Sequence, residues 1–386
     1  FSVENRYDYL NLNTCRFLWK QVKFPTATDA SNTTAQVLKQ GETQGSDVAA
    51  HSAGVLNIKT TILPDADALF LTAIDRYGHE LWRWTFPVNK LNQANEVLSP
   101  LSNKVTSTET ENELTVKAKN HTFIFSKKDG QLKGVSVNNR KISFANGPRF
   151  IGARRADRSL DQFYNHDDEK AKEKDRTYSE FPDAAVFTKL DVKEDGGNLI
   201  VTANYKLGNL DKAQWTINPS GEAVLDYTYN FSGVVDLMGI CFDYPEDQVI
   251  SKRWLGAGPY RVWQNRIHGT QYDVWENDYN DPIPGETFTY PEFKGYFGSV
   301  SWMNIRTKEG TISLTNETPD AYIGVYQPRD GRDRLLYTLP ESGISVLNVI
   351  PPVRNKVNST DLCGPSSQPK WVNGPQSGRI IFRFME

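Results

Sequence analysis

Apolar and polar residues alternate in short runs along most of this chain, with the two-residue period of β-strands that bury one face. Val3 to Leu10 alternates in this way, Asn11 to Asn13 supply a turn, and Cys15-Arg16-Phe17-Leu18-Trp19 alternates again, which predicts an N-terminal hairpin. Residues 26–53 carry few large apolar side chains and read as an exposed insertion or long loop. Strand character returns at Val55 to Ile58, Phe70 to Ile74 and Leu81 to Phe86. That set suits a small immunoglobulin-like sandwich ending near Val88.

The polar stretch from Asn89 to Asn103 contains Pro100 and reads as a linker. The expected organisation is a small sandwich over 1–90, a linker over 91–103 and a larger domain over 104–386. In that larger domain Leu114 to Ala118, Thr122 to Phe125, Leu132 to Val137, Ala185 to Val192 and Leu199 to Leu207 are alternating runs, broken by Asp-Gly, Asn-Asn or Gly-Gly turns. Ala223 to Phe231, Val300 to Ile305, Thr311 to Thr315 and Arg379 to Phe384 continue the rhythm. Together they predict an all-β chain in which the second domain is a large antiparallel two-sheet sandwich. Arg158 to Asp175 is the one helical candidate, with acids ahead of lysines at helical spacing, and it reads equally as a solvated loop. No internal repeat and no βαβ alternation is present, so a doubly wound sheet and a TIM barrel are disfavoured.

Charge narrows the partners. The 386 residues carry 44 basic and 47 acidic side chains, a net charge of −3, which gives no field to draw in nucleic acid or an anionic membrane. No apolar run is long enough for a membrane span, and the absence of an initiator Met reads as the start of a fragment. Cys15, Cys241 and Cys363 are too few and too scattered for a disulfide framework or a zinc cluster, although one pair could bridge. No cofactor is expected, and His166-Asp167-Asp168-Glu169 reads as solvated surface rather than a metal site.

Candidate chemistry concentrates between Trp254 and Tyr296. Aromatics, guanidiniums and amides alternate there: Trp254, Arg261, Trp263, Asn265, Arg266, His268, Trp275, Tyr290 and Glu292. Sugars present apolar C–H faces beside hydroxyls, so their sites combine flat aromatic platforms with donors and acceptors, which makes these residues carbohydrate-binding candidates. The same spacing is equally met by core tryptophans and by arginines paired with carboxylates. The Gly256-Ala257-Gly258-Pro259 turn lacks the Lys-Ser/Thr of a phosphate loop. No Gly-x-Ser-x-Gly elbow, His-Glu-x-x-His pair or Cys-His constellation occurs, so the common hydrolase nucleophile signatures are missing, while a carboxylate pair among the 47 acidic residues stays open because sequence does not show which of them converge.

Glu4-Asn5-Arg6-Tyr7-Asp8-Tyr9-Leu10-Asn11-Leu12 with Trp19 resembles the opening of the immunoglobulin-like domain that follows the barrel in family 2 glycoside hydrolases. Trp254-Leu255-Gly256-Ala257-Gly258-Pro259, with Arg266 downstream, resembles the Gly-x-Gly-Pro signature of their large C-terminal sandwich, the β-galactosidase small-chain type, and Asp129-Gly130 with Leu132 suits its start. The resemblance implies a galactose-mutarotase-like sandwich, a glycan ligand and an upstream TIM barrel as partner, with the catalytic glutamates on that barrel and none here. It also implies a secreted or periplasmic parent. The family's late Asp-x-Trp-x-Pro-Ser loop resembles Asp361-Leu362-Cys363-Gly364-Pro365-Ser366, where Cys363 stands in place of the sugar-facing tryptophan. Tyr260 to Asn265 likewise replace a charged stretch, so the glycan could differ from a β-galactoside. Two alternatives are a free-standing mutarotase or epimerase using His268 and Glu292, and a carbohydrate-binding module without turnover.

Overall fold

Alternating burial builds strands as the sequence predicts. Glu113–Ala118 buries Leu114, Val116 and Ala118, while Asn198–Lys206 buries Leu199, Val201 and Ala203. The computed structural model describes residues 1–29, 34–89, 104–155, 178–277, 295–325, 340–352 and 364–386. The linker, the stretch 158–175 with its His166-Asp167-Asp168-Glu169 run, Tyr290, Glu292 and Cys363 lie outside these residues. Among the described residues the chain is all-β, with only short 3-10 turns besides strands.

Two units divide the chain, Phe1–Asn95 with Gln271–Trp275, and Glu96–Thr270 with Glu276–Glu386. The first contains β1 (Ser2–Asn5), β2 (Arg16–Lys23), β3 (Gln36–Gln44), β4 (Ser52–Val55), β5 (Ala68–Ile74) and β6 (Glu80–Pro87). β1 pairs with β4, and a second sheet runs in the order β3-β2-β5-β6. Leu12, Phe17, Trp19, Leu56, Leu69 and Leu71 form the core of this unit, with Val3 of β1 packed on it.

Two expectations are corrected here. The N-terminal hairpin does not form: β1 stops at Asn5, whose buried amide donates to Leu10 O (2.8 Å) and Val48 O (2.9 Å), and β2 pairs with β3 and β5 instead. Satisfying that amide turns the chain away from β1. Nor is 26–53 wholly a loop, because it contains β3 and the start of β4. β3 is an edge strand with almost no buried face, so it shows no apolar alternation. Gly41 is required in it, since a Cβ there would lie 2.4 Å from the Trp19 ring, under any allowed contact.

The second unit contains β7 (Thr106–Glu109), β8 (Glu113–Ala118), β9 (His121–Ser126), β10 (Leu132–Val137), β11 (Arg140–Ile142), β12 (Ala145–Arg155), β13 (Tyr178–Glu180), β14 (Val186–Asp195), β15 (Asn198–Lys206), β16 (Leu210–Ile217), β17 (Ala223–Val235), β18 (Leu237–Asp243) and β19 (Val249–Gly258). After β20 (Gln271–Asn277) come β21 (Trp302–Thr307), β22 (Gly310–Asn316), β23 (Tyr322–Val325), β24 (Ile344–Val349) and β25 (Lys370–Met385). One sheet of ten strands follows the path β23-β24-β18-β12-β10-β9-β8-β7, with β11 on β10 and β13 on β12. The other has nine, in the order β14-β15-β16-β17-β25-β22-β21-β19-β20. Pairing is antiparallel throughout the named ladders.

The sheets face each other across an aromatic core. Phe144 and Phe242 on the ten-stranded side meet Trp215 and Phe382 on the other, with ring centroids 5.2–6.1 Å apart. All four are at most 1% exposed, and burying each contributes roughly 1.5–3 kcal/mol. Tyr229 of β17 also crosses the interior, donating its hydroxyl to Asn348 Oδ1 at 2.6 Å. β18 reads Leu-Met-Gly-Ile-Cys-Phe and is buried at every one of those positions, because both its faces are covered. One face takes the sandwich interior. The other takes a cluster that includes Ile151, Leu237, Cys241, Val262, Trp263, Tyr296 and Leu347.

Candidate functional site

The Trp254 to His268 stretch leaves the sandwich at the end of β19. Trp254 is 1% exposed, donates Nε1–H to Ala257 O at 3.0 Å and packs edge-on against Phe297 at 4.9 Å. Gly256 lets the backbone of residues 298–300 come close: a Cβ at this position would sit 3.0 Å from Gly298 O, and Ala257 N–H donates to that same oxygen at 2.9 Å. The Trp-Leu-Gly-Ala-Gly-Pro motif is thus explained by packing.

Trp263 is likewise interior, 4% exposed and edge-on to Tyr296 at 5.6 Å. Trp254 and Trp263 are thus both buried in the core, the alternative that their spacing equally allowed. Arg261 lies 5.3 Å from the Phe297 ring centroid, a cation–π contact that ties it to the same core. Trp275 lies on β20, in the part of that strand that groups with the first unit, and donates Nε1–H to Gln271 O at 3.1 Å.

What the structure does bring together is the polar part of the stretch and the late loop. Gln264, buried, donates Nε2–H to Gln368 O at 2.7 Å, and its own N–H to Pro351 O at 3.1 Å. Asn265 donates Nδ2–H to Ser367 Oγ at 3.1 Å. The loop is braced for this by a 3-10 turn over Pro365–Ser367, with Gln368 N–H returning to Pro365 O at 3.2 Å. Gln264 Oε1 is buried with no hydrogen-bond partner among the described residues. Arg266 and His268 follow immediately and are exposed, their donors available to solvent.

β25 begins just after this junction and carries a residue that the sequence analysis did not single out. Trp371 is 71% exposed, a large apolar ring held at the surface on a strand. At most about 14 Å of extended chain separates it from Ser367. The pattern Lys370-Trp371-Val372-Asn373 contains the signal: Trp371 shares its strand face with Asn373, a polar position, so the alternation itself turns the indole outward. Amides, a hydroxyl, a guanidinium, an imidazole and an exposed indole can hold a sugar. Asn265, Ser367 and Trp371 have no carboxyl, so they cannot supply the acid and the nucleophile that cleave a glycoside.

The second unit also contains a charged pair behind this region. Arg149 Nη2 lies 2.7 Å from Asp243 Oδ1, and Asn146 Nδ2 donates to the other carboxylate oxygen at 2.6 Å. Burial pushes the Asp243 carboxyl up, but the hydrogen bonds from Arg149 and Asn146 outweigh it and hold it below the ordinary carboxylate value. Burial pushes the neighbouring Cys241 thiol up to about 11, against the pull of Arg149. Cys15 and Cys241 are both free and buried.

Residues 117–350 match the family model described as the beta galactosidase small chain. No curated protein matches the sequence. Among solved structures, the chain is similar to galactose 1-epimerase from Lactobacillus acidophilus NCFM, with 10% identity and a TM-score of 0.38 over 74% of this chain and 99% of that one. It is also similar to a GalM/aldose epimerase homologue from C. elegans, with 8% identity and a TM-score of 0.33 over 73% and 99%.

Proposed function

Because the chain belongs to the β-galactosidase small-chain family, we propose that it is a non-catalytic, C-terminal part of a β-galactosidase-like glycoside hydrolase of family 2. In this reading the first unit is an immunoglobulin-like domain, the parent is secreted or periplasmic, and an upstream TIM barrel hydrolyses an O-glycosidic bond in a glycan. The present chain buttresses that barrel and contributes one wall of its sugar cleft.

The observation that carries the reading is the junction of Gln264 and Asn265 with Ser367 and Gln368. Two segments about a hundred residues apart meet through side-chain hydrogen bonds, with exposed Arg266 and His268 following one of them along the chain and exposed Trp371 following the other. The exposed ring of Trp371, on the strand that follows this loop, supports a binding role for this surface.

The test is turnover of a panel of nitrophenyl glycosides by this chain alone and by the same chain joined to its native upstream barrel. Hydrolysis only by the longer protein supports the accessory role. Hydrolysis of any glycoside by the chain alone overturns it.

A further inference from the structure

The outer face of the nine-stranded sheet carries a polar cleft that no motif in the sequence marks. It has a volume of ≈330 Å³ and is bounded by Lys212 of β16, Asp226 and Thr228 of β17, Ser377 and Arg379 of β25, and Glu317 just beyond β22. The register explains why these side chains converge. Thr228 pairs with Lys212 on one side and Ser377 on the other, and Asp226 pairs with Arg379, so all five share one face.

Arg379 organises the charges. Its Nη1 lies 3.5 Å from Asp226 Oδ1 and its Nε 3.4 Å from Glu317 Oε2, while its carbonyl accepts the Glu317 N–H at 2.9 Å. The side chains of Arg379, Asp226 and Glu317 remain 51%, 35% and 33% exposed, so they are fixed relative to one another and still reachable. With Lys212 the cleft has two cations and two carboxylates and no net charge. An anion there would meet Asp226 and Glu317 beside the two cations, and a metal ion would meet Arg379 and Lys212 beside the two carboxylates. A neutral polyhydroxylated ring has no such conflict, because each hydroxyl can donate to a carboxylate and accept from a guanidinium, ammonium or hydroxyl hydrogen.

We propose that this cleft is a carbohydrate-binding site for a neutral monosaccharide or disaccharide unit, separate from the loop junction. The volume lies at the low end of small-ligand pockets, which suits a short saccharide. From Trp371 to Ser377 the strand runs about 20 Å, so one sugar does not occupy both places. The chemistry of the cleft carries the proposal, which holds whether or not the chain works beside a barrel.

The experiment is an NMR titration of the chain with galactose, lactose and cellobiose as neutral probes and with galacturonate and inorganic phosphate as charged ones. Saturable shifts are expected with at least one neutral sugar and with neither charged probe. Ser377→Trp fills the cleft and should abolish them. Thr228→Val, nearly isosteric and safe for folding, should weaken binding about tenfold, the equivalent of one hydrogen bond. The proposal is overturned if no neutral sugar gives saturable shifts, if Thr228→Val binds as tightly as the parent chain, or if galacturonate or phosphate is preferred. None of these results depends on glycoside turnover by the barrel-bearing protein, so the two proposals fail independently.

Discussion

Asn265 Nδ2 and Ser367 Oγ are 3.1 Å apart across 102 residues of sequence, and this bond fixes where the late loop leaves its 3-10 turn. A loop tethered by two side-chain bonds can be loosened without disturbing the sandwich beneath it. Asn265→Ala should cost the isolated chain only about 1 kcal/mol, the usual net worth of one hydrogen bond. In the protein that carries the barrel the same change should raise KM for glycoside severalfold, as should Trp371→Ala, which costs no buried contact. Paired measurements of thermal midpoint and steady-state kinetics check this. An unchanged KM in both variants would remove this junction from the sugar site.

In the first unit, Arg83 Nη2 lies 2.8 Å from Asp273 Oδ2, with side chains only 21% and 15% exposed. Arg83 also rests 4.5 Å from the Phe70 ring centroid, and Thr85 Oγ1 donates to Tyr272 O at 2.9 Å. Burial raises the Asp273 pKa despite Val274 N–H and Arg83, so the ion pair only partly offsets its own desolvation. Removing one partner should therefore hurt more than removing both. Asp273→Ala is expected to cost about 3 kcal/mol, whereas Arg83→Met with Asp273→Leu should recover much of that loss. A double-mutant cycle by urea denaturation decides it, and additive single-mutant losses would contradict the argument.

How much of this could be read beforehand depends on what each residue contacts. β15 falls where Leu199 to Leu207 alternates, because over most of the strand each of its faces has one environment. β3 was unreadable because an edge strand wetted on both sides has no apolar period, and the pairing of β1 with β4 was hidden in the two hydrogen bonds of one asparagine. In the stretch from Trp254 to Tyr296 the residue types were plain and their roles were not. A tryptophan looks alike in sequence whether it fills a core, as Trp254 does, or stands in water, as Trp371 does. The bonds of Gln264 and Asn265 to the late loop, and the cleft around Arg379, depend on strand register between distant segments, which no local pattern encodes.

Acid should unfold the large sandwich partly through Asp243. Its carboxyl is held below the ordinary value in the folded chain, so its contribution is fully present above the unfolded carboxylate value and is lost as pH falls through the lower folded one. Asp243→Asn keeps an oxygen acceptor for Arg149 and Asn146 but cannot titrate. Between pH 5 and pH 2, about where carboxylates protonate, stability of the parent chain should fall more steeply than that of Asp243→Asn. Equal slopes would mean that the Arg149 pair has no differential effect on folding.

Cys241 offers the last check on the packing, since it is 2% exposed beneath Val262 and Trp263, and burial pushes its thiol up to about 11. Only thiolate attacks iodoacetamide, and at neutral pH neither charge nor access favours it here. Native protein labelled at pH 8 and mapped by mass spectrometry should leave Cys241 unmodified, and protein labelled in denaturant should modify it completely. Trp263→Ala opens a path to the sulfur without touching Arg149, so labelling of Cys241 should then appear in the folded state. If Cys241 reacts in the parent chain as fast as it does in denaturant, the segment 262–263 does not cover β18, and the loop junction that depends on Gln264 and Asn265 has no fixed base.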